Sequence, residues 1–352
     1  TGRAAKRLTE TTGMQASTIH RLLEADNTGF QRNRDHPLEV ELLIIDETSM
    51  IDTLLMDVLL EAIPSPARLV LVGDVDQLPS VGPGTVLRDL IESQLVPVIR
   101  LEHIYRQSID SLITDNAHKV RRGVMPELPR TAPSEKLKDF YFIRATEPEQ
   151  IVEKIIAMAS DRIPKRFGFD SFSEIQVLTP MHRGATGSIN LNQRLQSVLN
   201  AEGSGFLHRE QWLKVGDKLM QQQNDYEKQV FNGDIGRIMA CDPETREVHV
   251  EFDQGIVRYT SKELDQLSLS YAISVHKSQG SEYPAVILPL TTHHYMMLQR
   301  NLLYTALTRG KQLVILIGTE KAVGMAVTNE EALIRHTSLP RKFQELNEVM
   351  VK

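Results

Sequence analysis

The sequence predicts an α/β protein with two parallel-sheet domains, the second interrupted by a small β-barrel. Apolar runs without alternation, at residues 42–45, 68–72, 286–290 and 313–317, are typical of strands buried on both faces of a parallel sheet. From about residue 202 to residue 267 the pattern changes to short β segments separated by turn signals. This change predicts the barrel.

The remaining elements of the first domain follow from periodicity and turn residues. Residues 1–24 favour helix with a break near Gly13. The polar stretch 27–37 predicts a loop or hairpin inserted before the first buried strand. Helices are predicted over residues 54–62 and 109–122.

The second domain begins after a stretch rich in Pro, Ser and Lys at residues 130–138, which predicts a linker or surface loop. Helices are predicted over residues 149–160, 189–199 and 299–308, and a further strand over residues 174–178.

Composition bounds the class of protein. A chain of 352 residues is long enough for two cores, and 41% hydrophobic and 24% charged residues are ordinary for a globular protein. The net charge of -6 argues against a general nucleic-acid coat protein, although a local positive channel remains compatible with it. The single cysteine, Cys241, excludes an intrachain disulfide and fits a cytoplasmic protein. No apolar stretch approaches the roughly 20 residues of a membrane span, so no membrane partner is expected.

Acidic and amide side chains follow the first two strands. Asp46 and Glu47 end one strand, and Gln77 lies shortly after the other. Because ligands bind at the carboxyl ends of parallel strands, these side chains should share one crevice. An Asp there can hold magnesium, a Glu can activate water, and a Gln can sense a terminal phosphate, as in a nucleoside triphosphatase. For the acidic pair alone, a solvated strand end or a helix N-cap is an equal alternative.

The phosphate-binding loop G-x-x-x-x-G-K-[ST] is absent from these residues. Residues 82–85 are glycine-rich without Lys, and residues 309–312 contain Gly-Lys without a following hydroxyl. The chain also begins at Thr1 rather than Met. We infer a fragment whose phosphate loop lies upstream; a degenerate, non-hydrolysing relative is the alternative.

Three further segments carry polar chemistry. Arg106 can reach a terminal phosphate or form a surface ion pair. Residues 274–282 are dense in hydrogen-bonding groups, and His276 suits a phosphate or base contact better than a metal site. Arg309 ends a helix, where it can act as an arginine finger or simply complement the helix dipole.

In this order, the segments resemble the motifs of a superfamily 1 helicase of the RecD-like, 5′-to-3′ branch. The resemblance covers motif Ia at 1–8, Walker B at 46–47, motif III at 73–84, motif IV at 105–107, motif V at 276–282 and motif VI at 304–309. Residues 18–23 and 231–236 favour the stand-alone type over the subunit of a recombination nuclease, and conjugative relaxase helicases share much of the pattern.

The resemblance implies two RecA-like domains with ATP between them. The first, at residues 1–130, lacks its phosphate loop and carries a strand-separating pin at about 27–37. The second, at residues 131–352, carries an SH3-like barrel at about 202–267.

The resemblance also implies residue roles. Asp46 would hold Mg²⁺, Glu47 would activate water, and Gln77, Arg106 and Arg309 would contact the γ-phosphate of ATP. Gly280 and Glu282 would line the nucleotide side of motif V. The candidates for single-stranded DNA contact are Thr1, Arg3, Leu78, Pro79, Thr179, Pro180, His182, Arg183, His276, Lys277, Ser278 and Gln279.

The implied partners are single-stranded DNA, duplex junctions, and recombination or repair proteins. Without a phosphate loop, this chain alone should bind ATP weakly and turn it over poorly or not at all. A non-catalytic DNA-binding or scaffold subunit and an RNA helicase are the open alternatives. A nuclease is not favoured, because no acidic cluster beyond the ATPase acids suits two-metal cleavage.

Overall fold

The computed structural model describes residues 1–26, 28–101, 111–129, 137–330, 335 and 337–350, without the side chains of residues 3, 349 and 350. The described residues within Arg3–Ile104 and Glu330–Lys352, with Thr1, form one compact unit, unit 1. Those within Tyr105–Asn329, with Gly2, form a second, unit 2. The domain limits given above remain a prediction, although the helix Leu112–Arg121 already lies in unit 2.

Unit 1 is built on two parallel strands, β3 and β4, paired from Leu42 with Arg68 to Ile45 with Leu71. Its elements in chain order are α1 (Gly2–Thr12), α2 (Ile19–Leu22), β1 (Ala25–Asp26), β2 (Gly29–Phe30), β3 (Leu42–Ile45), α3 (Thr53–Ala62), β4 (Arg68–Leu71), α4 (Val86–Ser93) and, from the end of the chain, α11 (Leu339–Met350). The break predicted near Gly13 is the left-handed C-cap of α1, with φ of 70°. β1 and β2 pair antiparallel, and β2 lies within the insertion predicted at residues 27–37.

The strands of unit 1 are not buried on both faces among the described residues, so that expectation is wrong for them. Leu43 and Ile45 are 8% and 6% exposed and lie in the core with Leu59. Leu42 and Ile44, on the other face, are each 51% exposed. The reason is that the described sheet has two strands and one covered face, so the side chains alternate between core and solvent.

Unit 2 contains a sheet of five strands: β5 (Phe140–Arg144), β6 (Ile175–Thr179), β14 (Ala272–Ser274), β15 (Tyr283–Leu290) and β16 (Gly310–Gly318). All five are parallel, in the order β14-β6-β15-β16-β5. The helices are α5 (Leu112–Arg121), α6 (Pro148–Ala157), α7 (Ile163–Phe167), α8 (Ser188–Leu199), α9 (Arg300–Thr308) and α10 (Glu320–Thr328). Here the apolar runs are buried on both faces, as predicted: residues 286–290 of β15 and 313–317 of β16 are all buried.

The small β insertion lies between α8 and β14. Its strands are β7 (Gly205–His208), β8 (Gln211–Lys214), β9 (Lys218–Gln221), β10 (Ile235–Asp242), β11 (Glu247–Phe252), β12 (Gly255–Tyr259) and β13 (Leu267–Leu269). Five of them form an antiparallel sheet in the order β12-β11-β10-β9-β13, and β7 pairs with β8.

No helix in the described part of the chain is long and apolar enough to span a bilayer.

A buried carboxylate joins this insertion to α8. Asp217 is fully buried and accepts hydrogen bonds from Gln196 Nε2 at 2.6 Å and Asn200 Nδ2 at 2.7 Å. It also accepts bonds from the Lys214 backbone N–H at 2.7 Å and the Tyr271 hydroxyl at 3.0 Å. Burial raises the pKa of Asp217, and these four bonds oppose the rise.

Candidate functional site

The ends of β3 and β4 are tied together by one buried threonine. Thr48 Oγ1 donates to the carbonyl oxygens of Val72 at 2.7 Å and Ile45 at 3.1 Å, and the Thr48 backbone N–H donates to Val72 O at 2.9 Å. The residues that follow each strand therefore emerge at the same edge of the sheet.

Asp46 and Glu47 lie in the turn after β3. Asp46 is exposed, and its Oδ1 accepts a hydrogen bond from the Glu47 backbone N–H at 2.8 Å. Glu47 is half-buried in a left-handed conformation with φ of 54°, which non-glycine residues seldom adopt. The turn thus places two neighbouring carboxylate residues directly after the end of β3.

The turn after β4 holds Gln77 in place. The Gln77 backbone N–H donates to Asp74 O at 3.3 Å, and its side-chain Nε2 donates to Asp74 Oδ2 at 3.2 Å. Gly73 is required by close packing, because a Cβ there would lie 2.8 Å from Leu87 Cδ2 and 3.0 Å from the Thr48 nitrogen. Asp46, Glu47 and Gln77 are therefore brought to the same end of unit 1, as their positions after the strands predict.

The other sequence-predicted residues of unit 1 differ in exposure. Leu78 is 1% exposed, so its side chain belongs to the core, whereas Pro79 is half-buried. Thr1 is exposed and its Oγ1 caps α1 by accepting from the Ala4 N–H at 3.2 Å. Arg3 lies in the first turn of α1, and Arg106 lies outside the described residues.

Arg309 lies at the end of α9 in unit 2 and is only 3% exposed. Its Nε donates to Thr305 O at 3.2 Å and its Nη1 to Ser281 O at 3.1 Å. The guanidinium therefore links the C-terminus of α9 to motif V.

Motif V begins after β14 with a 3₁₀ turn at His276–Ser278. Gly280 has φ of 72°, a left-handed conformation that favours glycine. Glu282 forms an ion pair with Lys311, 3.2 Å from Lys311 Nζ to Glu282 Oε2. The carboxylate expected to face the nucleotide thus has a cationic neighbour on β16.

The predicted DNA-contact residues of motif V divide into buried and exposed groups. Ser278 is fully buried and donates to Val275 O at 2.7 Å, and Gln279 is 8% exposed. Lys277 is exposed and its Nζ donates to Gln222 Oε1. Burial lowers the pKa of the half-buried His276, which favours a neutral imidazole at neutral pH.

The segment after β6 shows the same division. Thr179 and Pro180 are buried, and Thr179 Oγ1 donates to Thr186 O at 2.7 Å. His182 and Arg183 are exposed, and His182 Nδ1 lies 2.8 Å from Ser188 Oγ. The loop therefore exposes the His182 imidazole and the Arg183 guanidinium to solvent, while the residues before them, Thr179 and Pro180, are buried.

Sequence reasoning missed several residues that shape these segments. Thr186 Oγ1 lies 2.7 Å from Nε2 of His294, which is 2% exposed, and Gln222 holds Lys277. Their partners are distant in sequence, so no local signal identifies them. Within the described ranges, no group of three or more His, Cys, Asp and Glu side chains could hold a metal ion.

Three protein-family models match consecutive parts of the chain. An AAA domain model matches residues 1–142, the SH3 domain model of ATP-dependent RecD-like DNA helicases matches residues 191–252, and a UvrD-like helicase C-terminal domain model matches residues 269–317. The SH3-like insertion predicted from the sequence is thereby confirmed.

Two curated relatives align along nearly the whole chain. The ATP-dependent RecD2 DNA helicase of Deinococcus radiodurans is 38% identical over 344 residues, which are 98% of this chain and 45% of that protein. The RecBCD enzyme subunit RecD of Mycolicibacterium smegmatis is 32% identical over 375 residues, covering 98% of this chain and 65% of that protein. The chain thus spans about half to two thirds of the length of these relatives.

Solved structures support the fold. A Pif1 helicase from a study of DNA unwinding at forked duplexes matches with a TM-score of 0.52 and 18% identity, over 98% of this chain and 86% of that one. A Bacteroides Pif1 helicase in complex with ADP-AlF3 and single-stranded DNA matches with a TM-score of 0.52 and 17% identity, over 97% and 85%. The RecA-like parallel-sheet fold predicted from the sequence is confirmed. The order of the three family models and the identity to RecD proteins show that the chain belongs to the RecD-like helicase family.

Proposed function

We propose that these residues are the catalytic portion, without a phosphate loop, of an ATP-driven DNA helicase motor that moves 5′-to-3′ on single-stranded DNA. The observation that carries the proposal is the tie between β3 and β4 through Thr48, because it brings Asp46, Glu47 and Gln77 to one edge of unit 1. Magnesium-dependent hydrolysis of a nucleoside triphosphate requires such acids and such an amide close together. The domain limits near residues 130 and 202–267 are part of the same proposal.

ATP is the substrate and Mg²⁺ the ion that the acidic turn suits. Mg²⁺ commonly takes one or two carboxylates, with phosphate and water oxygens completing its shell, so the exposed Asp46 fits without a larger acidic cluster. The bound ion would neutralise charge on the phosphates. Glu47 accepts the proton of the attacking water. Gln77 contacts the γ-phosphate, and its side chain is oriented by a hydrogen bond to Asp74.

The remaining ATPase residues are assigned by their motifs. Arg309 stabilises negative charge that develops on the transferred phosphoryl group, and Arg106, which lies outside the described residues, is assigned the same role. Gly280 gives motif V its left-handed turn, and Glu282 is assigned to the nucleotide side of motif V. Because Arg309 is bonded to Ser281, a change in motif V also moves the guanidinium.

The DNA contacts are best assigned by exposure. His182, Arg183 and Lys277 are exposed and suit the phosphate backbone, and the half-buried His276 precedes Lys277 in the sequence. Thr179, Pro180, Ser278 and Gln279 are buried and shape the loops that carry them. In unit 1, Thr1, Arg3 and Pro79 are the proposed contacts, and Leu78 acts through its backbone.

The proposed partners are single-stranded DNA and duplex junctions, in repair or recombination. Of the two Pif1 structures, one concerns DNA unwinding at forked duplexes and the other contains single-stranded DNA. The relatives include both a RecD2 helicase and a subunit of the RecBCD enzyme. We favour the RecD2-like type, on the higher identity.

The test is the ATPase rate of the intact polypeptide and of residues 1–352 side by side, with and without single-stranded DNA and with single-stranded RNA. We expect DNA-stimulated hydrolysis by the intact polypeptide and little or none by residues 1–352, which lack the phosphate-loop motif. If neither polypeptide hydrolyses ATP, the motor proposal fails and the chain is better described as a DNA-binding or scaffold protein. If RNA stimulates hydrolysis more strongly than DNA, the chain is assigned as an RNA helicase instead.

A further inference from the structure

A guanidinium from near the end of the chain binds the loop that follows motif III's glutamine. Arg335 Nη2 donates to Ser80 O at 2.6 Å, and its Nη1 donates to Gly82 O at 2.6 Å and Gly84 O at 3.0 Å. Nη1 also lies 3.3 Å from Ser80 Oγ. All of these residues belong to unit 1.

The loop 80–84 turns its carbonyl oxygens toward this one cation. Gly84 has φ of 90°, and a Cβ there would lie 2.0 Å from Thr53 Oγ1. A Cβ on Gly82 would lie 1.9 Å from Asp52 Oδ2. The loop therefore packs its glycines against the start of α3, which leaves three carbonyl oxygens converging on the opposite side. A planar guanidinium with several fixed N–H donors satisfies such a set, and a lysine ammonium lacks that geometry.

The bound loop is continuous with the residues that the proposed function uses. Leu78 and Ser80 are 1% and 4% exposed, so the segment from Gln77 to the loop is anchored in the core at two points. On the preceding side, Arg88 of α4 donates through Nη2 to Val75 O at 3.0 Å. Motif III is thus held by two arginines, one before Gln77 and one after Pro79.

Arg335 is fixed to unit 1 by the helix that follows it. Helix α11 packs against α4, and the Leu339 backbone N–H at its start bonds to Thr337 Oγ1 at 3.0 Å. α4 in turn carries Arg88. The two arginines therefore act from elements that contact each other.

We propose that Arg335 is a positioning residue for motif III, holding loop 80–84 so that Gln77, Leu78 and Pro79 respond to nucleotide and DNA. The expected response to nucleotide and DNA rests on the proposed function, whereas the contact between Arg335 and the loop is independent of it. Arg335 reaches Ser80 from 255 positions away in sequence. It gives the end of the chain a role in the coupling of DNA binding to ATP hydrolysis.

The experiment compares Arg335→Gln and Arg335→Lys with the control Arg341→Gln. Arg341 is on α11, 74% exposed, and pairs with Glu345 of the same helix. Hydrogen exchange of the peptide spanning residues 77–85 is measured on residues 1–352, with peptides of unit 2 as the internal reference for folding. The DNA-stimulated ATPase rate, the KM for ATP and the DNA concentration for half-stimulation are measured on the intact polypeptide.

We expect exchange in residues 77–85 to be about tenfold faster in Arg335→Gln, as for the removal of a charge-assisted hydrogen bond. Stimulation by DNA should fall by a similar factor; Arg335→Lys should be intermediate, and Arg341→Gln should match the wild type. Unchanged exchange in Arg335→Gln would overturn the proposal, as would faster exchange with normal DNA stimulation. Absence of DNA-stimulated hydrolysis in the wild type would refute the proposed function instead, and the exchange arm would still decide whether Arg335 holds the loop.

Discussion

Arg309 Nη1 donates a hydrogen bond to the carbonyl oxygen of Ser281 at 3.1 Å, which joins the end of motif VI to motif V inside unit 2. A second bond, from Nε to Thr305 O at 3.2 Å, orients the guanidinium within its own helix. Arg309 is 3% exposed and is held by these two hydrogen bonds. It is therefore a structural part of unit 2 as well as a proposed catalytic group. Its substitution should therefore affect both stability and turnover.

Arg309→Ala should lower the ATP turnover of the intact polypeptide far more than its affinity for DNA, because the DNA contacts are assigned to other residues. It should also lower the free energy of unfolding by about 1–3 kcal/mol, since two buried carbonyl groups lose a charged donor. Steady-state ATPase assays, DNA-binding titrations and chemical denaturation measure the three effects. Arg166→Ala, at an exposed position on α7, is the control. Equal losses of turnover and DNA affinity would assign Arg309 a purely structural role.

Glu47→Gln should abolish hydrolysis in the intact polypeptide while leaving ATP and DNA binding largely intact. The change removes the proton acceptor but keeps the length of the side chain and its left-handed backbone. A loss of about a hundredfold or more is expected for a general base. Single-turnover hydrolysis and nucleotide-binding assays measure the two properties, and the exposed Glu41, before β3, provides the control Glu41→Gln. Normal turnover in Glu47→Gln would remove Glu47 from the mechanism.

The sequence predicts the fold well where elements are long and buried. The strands and helix of unit 2 at residues 286–290, 299–308 and 313–317 correspond to β15, α9 and β16. β14 was missed because its three residues, Ala272–Ser274, are too few to show a period. β5 was missed because it follows closely on a stretch rich in Pro, Ser and Lys.

Only the candidate site residues that belong to short motifs, contiguous in the sequence, could be predicted. Asp46, Glu47 and Gln77 follow two strands, and parallel strands end at a common edge. The contacts of Arg335 with Ser80, and of Thr186 with His294, span 255 and 108 positions. No local pattern in one sequence reports such pairs. The burial of Arg309 and Leu78 also depends on packing that residue type alone does not reveal.

Lys277→Gln should weaken the binding of single-stranded DNA and make it less sensitive to salt. Removing one phosphate interaction lowers the slope of log affinity against log salt by about 0.7 for single strands. Affinities measured by fluorescence anisotropy at several salt concentrations give this slope. Lys321→Gln, at an exposed position on α10, is the control and should leave the slope unchanged. An unchanged slope in Lys277→Gln would mean that Lys277 serves only to bond Gln222.

His294 connects the pH dependence of stability to the loop that carries His182 and Arg183. Its Nε2 lies 2.7 Å from Thr186 Oγ1, and Thr186 O accepts a bond from Thr179 Oγ1. Burial, with a smaller contribution from His293, lowers the pKa of His294 from its ordinary value of 6.5 to about 4. The folded chain therefore holds this imidazole neutral in a range where the unfolded chain protonates it.

As pH falls from 6.5 to 4, the unfolded state takes up the His294 proton first, so the folded state loses stability. The stabilisation is fully present above pH 6.5 and declines by up to about 3 kcal/mol near pH 4. His294→Gln keeps a polar partner for Thr186 and should flatten this decline, relative to the wild type, in denaturant titrations between pH 4 and 7. The control His293→Gln, at an exposed neighbour, should retain most of it. The same decline in His294→Gln as in the wild type would show that other groups cause the acid sensitivity.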